Sequence, residues 1–171
     1  MNGWIWGLAA AGLAAAGYAN YRRFIPKPAA FGSRRFAVDA RELTVDTGAH
    51  ILFGQLLFPR GMSGKLPTVI VSHGLNSNGK NAKALVGESL AMSGFQVYCF
   101  DFYGGSLHSA SGGRMEEMTV FTEKDDLHAV IEKIKALETT DAENLFLLGE
   151  SQGGFVTAIT AAEHPEIKAV I

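Results

Sequence analysis

The sequence predicts an α/β fold: a mostly parallel sheet entered through an amino-terminal hairpin and covered by helices on both faces. Three observations carry that reading. Short apolar runs rich in β-branched and aromatic residues recur at 68–72, 96–100 and 144–148, too short for helices and apolar enough to be buried on both sides. Stretches with helical spacing (82–92, 121–137 and 152–163) alternate with them. Ahead of these, two strand-like stretches at 36–45 and 51–58 flank Asp46-Thr47-Gly48, a turn signal that joins them as a hairpin.

Taken in order, the chain opens with an apolar segment, residues 1–23. From Asn2 to Tyr21 it carries no charged side chain, and Arg22, Arg23 and Lys27 follow at once. About 20 residues at 1.5 Å each cross a hydrocarbon core of about 30 Å. Trp4 and Trp6 at one end and Tyr18 and Tyr21 at the other suit the two membrane interfaces. The segment therefore reads as a membrane-anchoring helix, with the basic flank holding the carboxyl side of the chain in the cytoplasm. A cleaved signal peptide, which would place the protein outside, and a helix packed within a cytoplasmic protein are the competing readings. Residues 24–35, with Pro26 and Pro28, form a linker, and 36–171 make up the α/β domain. Within that domain 61–64 is loop, Ser93-Gly94 ends a helix, and 167–171 begins another strand.

At 47% hydrophobic and 19% charged, the chain has the material for one globular core. Its net charge of −2 provides no basic stripe, so nucleic acid is not an expected partner. The lone cysteine, Cys99, sits between aromatics and reads as a small buried hydrophobe. No Cys/His cluster has metal-ligand spacing, and neither metal nor cofactor is expected.

Chemistry is concentrated in three segments. The first is Gly149-Glu150-Ser151-Gln152-Gly153, directly between a buried strand and a helix. A serine on so tight a turn lifts its hydroxyl above the sheet, while Gly149 and Gly153 remove side chains that would collide as strand and helix close. The helix starting at Gln152 also turns its positive end toward the reacting centre. Second is His73-Gly74-Leu75, following the first buried strand. Acyl transfer needs two main-chain N–H donors aimed at the oxyanion, one after the nucleophile and one from this earlier loop. Those are the amides of Gln152 and Leu75, with Gly74 allowing close approach and His73 bracing the loop. Third is Asp101-Phe102-Tyr103-Gly104-Gly105-Ser106, a loop at the carboxyl end of a strand, where open α/β sheets bind ligands. Asp101 is expected to bind loop amides rather than to serve as a catalytic acid.

In this order and spacing the three segments resemble the α/β-hydrolase superfamily. More narrowly they resemble its bacterial cinnamoyl/feruloyl-esterase-like branch and the related serine aminopeptidase-like hydrolases. The resemblance covers residues 36–171. It implies a mostly parallel hydrolase sheet, incomplete at its carboxyl end, in which Ser151 attacks a small or aromatic acyl ester to form an acyl-enzyme. A serine peptidase or amidase with the same elbow, and a membrane-anchored inactive binding module, are the competing functions. The triad of such enzymes runs serine, acid, histidine along the chain. His164 follows Ser151, but a helix of about 12 residues sets it roughly 18 Å away. The acid and histidine are thus expected beyond residue 171. The anchor has a direct test: alkaline-carbonate extraction should leave the full-length protein in the membrane pellet, and its release would remove the anchor.

Overall fold

The computed structural model describes residues 35–171. The apolar segment 1–23 and the linker up to residue 34 lie outside the described residues. Among the described residues no helix is long and apolar enough to cross a membrane.

The hairpin forms as its turn signal predicts. Strands β1 (Val38–Asp46) and β2 (Ile51–Pro59) pair antiparallel in full register, from Val38 against Pro59 to Asp46 against Ile51. The Gly48 amide donates to Asp46 Oδ1 at 2.8 Å, closing the turn. Strand β3 (Leu66–Ser72) follows, then β4 (Gln96–Phe100), β5 (Thr140–Gly149) and β6 (Ala169–Val170). Among the described residues the sheet runs β1-β2-β4-β3-β5-β6. The β4, β3, β5 and β6 neighbours are parallel, and β2 joins β4 antiparallel.

Alternation along the central strands divides the core in two. On one face Val69 and Val71 of β3 and Val97 and Cys99 of β4 meet Ala82 and Ala91. Those alanines belong to α1 (Gly79–Ala82), which continues through a π-helical turn (Lys83–Gly87) into α2 (Glu88–Met92). On the other face Ile70, Tyr98, Phe100, Leu145 and Leu147 pack against Leu127, Val130, Ile131 and Ile134. These four lie on α3 (Val120–Lys135), beside α4 (Gln152–Ala161). Helices thus cover both faces, as expected for strands that are apolar throughout. Burial pushes the Cys99 thiol up to about 12, which fits a packing role.

Two boundaries differ from the sequence pattern by three residues or more. The expected helix at 82–92 begins earlier, at Gly79, because Asn78 Oδ1 accepts the Asn81 amide at 3.0 Å and caps it. Strand β5 extends back to Thr140, where Leu66 pairs with Thr140 before the register shifts by Thr68. A buried polar latch lies at that end of the sheet. Gln96 Nε2 donates to Thr68 Oγ1 (3.2 Å) and to Thr140 Oγ1 (2.8 Å), linking three adjacent strands.

Leu127 is fully buried where α3 meets the sheet, whereas Phe121, one turn and a half earlier, is 70% exposed. Leu127→Ala should therefore cost about 2–5 kcal/mol. Phe121→Ala should stay within about 0.5 kcal/mol. Urea denaturation of both variants measures the contrast.

Candidate active site

Strand β5 ends at Gly149 and α4 starts at Gln152, leaving Glu150 and Ser151 to reverse the chain. Ser151 takes φ 51° and ψ −117°, and its side chain is exposed. A non-glycine residue with positive φ is uncommon and costs of order 1–3 kcal/mol, so the surroundings must enforce it. They do so from several sides. The Glu150 amide donates to the Ser72 carbonyl at 3.0 Å, and the Ser151 carbonyl accepts from the Gly154 and Phe155 amides at 3.0 and 3.2 Å. A Cβ on Gly149 would stand 2.5 Å from the Gly153 carbonyl oxygen, and one on Gly153 would stand 2.5 Å from the Ser72 carbonyl oxygen. Neither place admits a side chain.

The loop after β3 lies against this turn. A Cβ on Gly74 would sit 3.2 Å from Ser151 Cβ and 3.3 Å from the Glu150 carbonyl oxygen, so the His73-Gly74-Leu75 backbone passes alongside the serine. Among the described residues, the main-chain amides of Leu75 and Gln152 donate to no acceptor. The structure thus brings Ser151, Gly74, Gly149 and Gly153 together, with Leu75 and Gln152 as their immediate chain neighbours.

His73 is buried, with its ring edge against Phe102 at 5.1 Å between centroids. Its Nε2 accepts the Phe102 amide at 3.1 Å, which leaves Nδ1 as the protonated nitrogen, donating to the Gly74 carbonyl at 2.8 Å. Both ring nitrogens are spent on main chain. The β3 and β4 loops are laced further by the Asn76 amide donating to the Gly105 carbonyl at 3.0 Å. Asp101 accepts the Gly79 amide on one oxygen and the Ala110 amide on the other, both at 2.6 Å. It binds loop amides. His164 lies in the turn beyond α4, its Nε2 2.6 Å from His128 Nδ1 and its Nδ1 3.1 Å from Glu166 Oε1.

Two buried carboxylates were not foreseen as parts of the site. The pattern of α3 puts Glu123 away from the apolar face, yet Glu123 and Asp126 are 1% and 2% exposed. Spacing of three and four residues in fact aligns them with Leu127 and Val130, and long-range partners make their burial tolerable. Gln152 Nε2 donates to Glu123 Oε2 at 2.7 Å. Asp126 accepts the Tyr103 amide at 2.9 Å and pairs with His50 Nε2 at 2.7 Å, with the His50 ring stacked on Tyr103. Burial raises both carboxyls above their ordinary values.

Two clefts open nearby. One of about 310 Å³ is lined by Phe53, Asn78, Lys83, Asp101 and His108, and one of about 240 Å³ by His50, Tyr103, Arg114, Met118 and Asp126. Neither includes Ser151 in its lining. Glu132, His164 and Glu166 bring ligand atoms within 4.8 Å of one another. Lys135 Nζ already donates to both carboxylates at 2.8 Å, so an ammonium occupies the place a metal cation would take.

The profile of the serine aminopeptidase S33 family matches residues 65–171. The chain belongs to this α/β-hydrolase family. Est1E from Butyrivibrio proteoclasticus, solved with ferulic acid bound, is similar over 75% of this chain and 50% of its own, at 28% identity and a TM-score of 0.68. A dienelactone hydrolase-like promiscuous phosphotriesterase from metagenomic libraries matches 78% of this chain and 58% of its own, at 19% identity and a TM-score of 0.67. The structure of DcsB with a substrate analogue matches 77% and 43%, at 23% identity and a TM-score of 0.66. At those identities the last two show the fold alone. The chain spans about half the length of these structures. A search of curated proteins finds no match.

Burial holds the His73 imidazole below its ordinary value of 6.5. The unfolded chain therefore binds more protons than the fold as pH drops below that value, and this part of the stability is lost on acidification. His73→Gln should flatten the decline in urea midpoint between pH 7 and pH 5, and an unchanged slope would show that His73 contributes nothing to it.

Proposed function

We propose that the protein is a serine hydrolase that cleaves carboxylic esters of small or aromatic acids through an acyl-enzyme on Ser151. The observation that carries this reading is Ser151 itself, exposed on a positive-φ turn with the Gly74 backbone against it and the Gln152 amide free beside it. In the proposed reaction Ser151 Oγ attacks the ester carbonyl as its proton passes to a general base. The Leu75 and Gln152 amides receive the oxyanion. The carbonyl–oxygen bond to the alcohol then breaks and the alcohol leaves with that proton. Water next attacks the acyl carbonyl and gives a proton to the same base, and the acyl–Oγ bond breaks as Ser151 takes that proton and the acid leaves.

Neither His73 nor His164 serves as base in this reading. The first is spent on the Phe102 amide and the Gly74 carbonyl; the second is spent on His128 and Glu166. The base and its acid are expected downstream of Ser151, in the chain order of such triads. The ester preference is supported by the 28% identity to Est1E, whose structure holds ferulic acid. Exposed apolar side chains also stand on the loops and helix starts that follow the strands: Leu75 and Leu107 on the two loops, Phe121 and Phe155 on the first turns of α3 and α4. They suit an apolar acyl group. A second reading, amide or peptide hydrolysis by the same serine, is supported by the family's description as serine aminopeptidases. Residues 1–23 are further proposed to tether the domain to a membrane, on the strength of their uncharged run and basic flank.

The full-length gene product should react with a fluorophosphonate probe at Ser151 and hydrolyse aryl and small acyl esters faster than the matching amides. Ser151→Ala should abolish labelling and reduce ester turnover about 10³-fold or more. Full turnover without Ser151 would overturn the reading, and faster amide cleavage would favour the peptidase.

A further inference from the structure

The elbow is held on its upstream side by the Glu150 amide on β3 and on its downstream side by a side chain. Gln152, the first residue of α4, extends its amide away from the serine and into the protein, where Nε2 donates to Glu123 Oε2 at 2.7 Å. The same nitrogen approaches Met118 Sδ at 3.4 Å, so both of its hydrogens have a destination. Glu123 is a firm anchor. It lies in the first turn of α3, where Thr119 and Thr122 form a reciprocal capping box, and its own amide donates to the Thr119 carbonyl at 3.0 Å.

We infer that Glu123 is a positioning residue of the acyl-transfer site, holding Gln152 so that the Gln152 main-chain N–H stays aimed at the oxyanion. The inference rests on the nucleophilic reading of Ser151. Three considerations carry it. First, Ser151 has a backbone conformation that persists only where neighbouring contacts over-determine it, and the Gln152–Glu123 bond is the side-chain restraint immediately downstream. Second, a carboxyl group buried at 1% exposure is costly unless hydrogen bonds offset its lost hydration. Its placement on the residue that follows the serine gives that cost a use. Third, the bond spans 29 residues and joins α3 to α4 at their amino-terminal ends, so it fixes the elbow against an independent helix rather than against its own.

The protonation state is secondary to this role. Burial raises the carboxyl, the nearby Asp126 charge raises it further, and the Gln152 bond lowers it. Protonated or ionised, Glu123 keeps an oxygen that accepts from Gln152 Nε2. A neutral amide of the same shape should therefore do the same work, and an apolar side chain should not.

The test compares Glu123→Leu and Glu123→Gln in the full-length gene product with an aryl ester, reading kcat and KM separately. Displacing an oxyanion donor by a fraction of an ångström should lower kcat about 10–100-fold in Glu123→Leu, with KM nearly unchanged. Glu123→Gln should recover most of that loss. Should Glu123→Leu not fold, Gln152→Met removes the same hydrogen bond from the other end and should show the same fall in kcat. Parental kcat in the folded variant lacking the bond would overturn the inference. So would a Glu123→Gln enzyme as impaired as Glu123→Leu, because the acceptor oxygen would then not be what matters. Ser151→Ala run alongside separates the two claims: an active Ser151→Ala protein defeats the nucleophile itself, whereas an inactive one with a parental Glu123→Leu defeats only the role of Glu123.

Discussion

The constraint on which the site depends is the space between the end of β5 and the start of α4. At Gly149 the strand meets the first turn of α4, and at Gly153 that turn meets the end of β3, so closely that a single added carbon on either would lie 2.5 Å from main-chain atoms. That closeness forces the two intervening residues into a reversal that puts Ser151 at φ 51°. Once the reversal exists, its first peptide must be tied down, and the Ser72 carbonyl of β3 does so through the Glu150 amide. The loop that leaves β3 then runs close beside the serine, where a Cβ on Gly74 would crowd Ser151 Cβ at 3.2 Å. Each part of the acyl-transfer geometry proposed for Ser151 follows from that tight join.

A second layer of support comes from α3. Its amino-terminal turns carry two carboxylates three residues apart, Glu123 and Asp126, and each grips a different part of the rim. Glu123 takes the side chain of Gln152 in the elbow, and Asp126 takes the Tyr103 amide in the β4 loop together with His50 beside the hairpin turn. Carboxyl groups this deeply buried are tolerable only when hydrogen-bonded, and here the partners are the segments that must not drift. His73 plays the corresponding part between the β3 and β4 loops as an uncharged bridge.

Much of this was legible in the sequence because the signals are local. The runs at 68–72, 96–100 and 144–148 all became central strands, since β-branched residues apolar on both faces have little alternative. The elbow and the His73-Gly74 loop are equally local, each written in fewer than six consecutive residues. Asp101 engages the loop amides expected of it. What was not legible depends on distant partners. Glu123 reads as a solvent-facing charge until Gln152 arrives from 29 residues away, and the Asp126–His50 pair spans 76. The first residues of β5 likewise join the sheet through pairing with Leu66, an encounter that no periodicity within 140–143 encodes.

The latch of Gln96, Thr68 and Thr140 lies at the opposite end of the sheet from Ser151, yet it bears on the β3 and β4 loops beside the serine. Parallel strands can exchange partners only in whole-residue steps of about 3.3 Å, and an odd step also turns every side chain to the wrong face. The bond from Gln96 to Thr68 selects one of those steps for β3 and β4, where the two residues are directly paired. The alignment then carries through without a break to Val71 opposite Cys99, just before the His73 and Asp101 loops separate. The offset between those two loops is in this sense digital: the far end of the sheet chooses the integer, and only the small remainder is left for the loops to adjust.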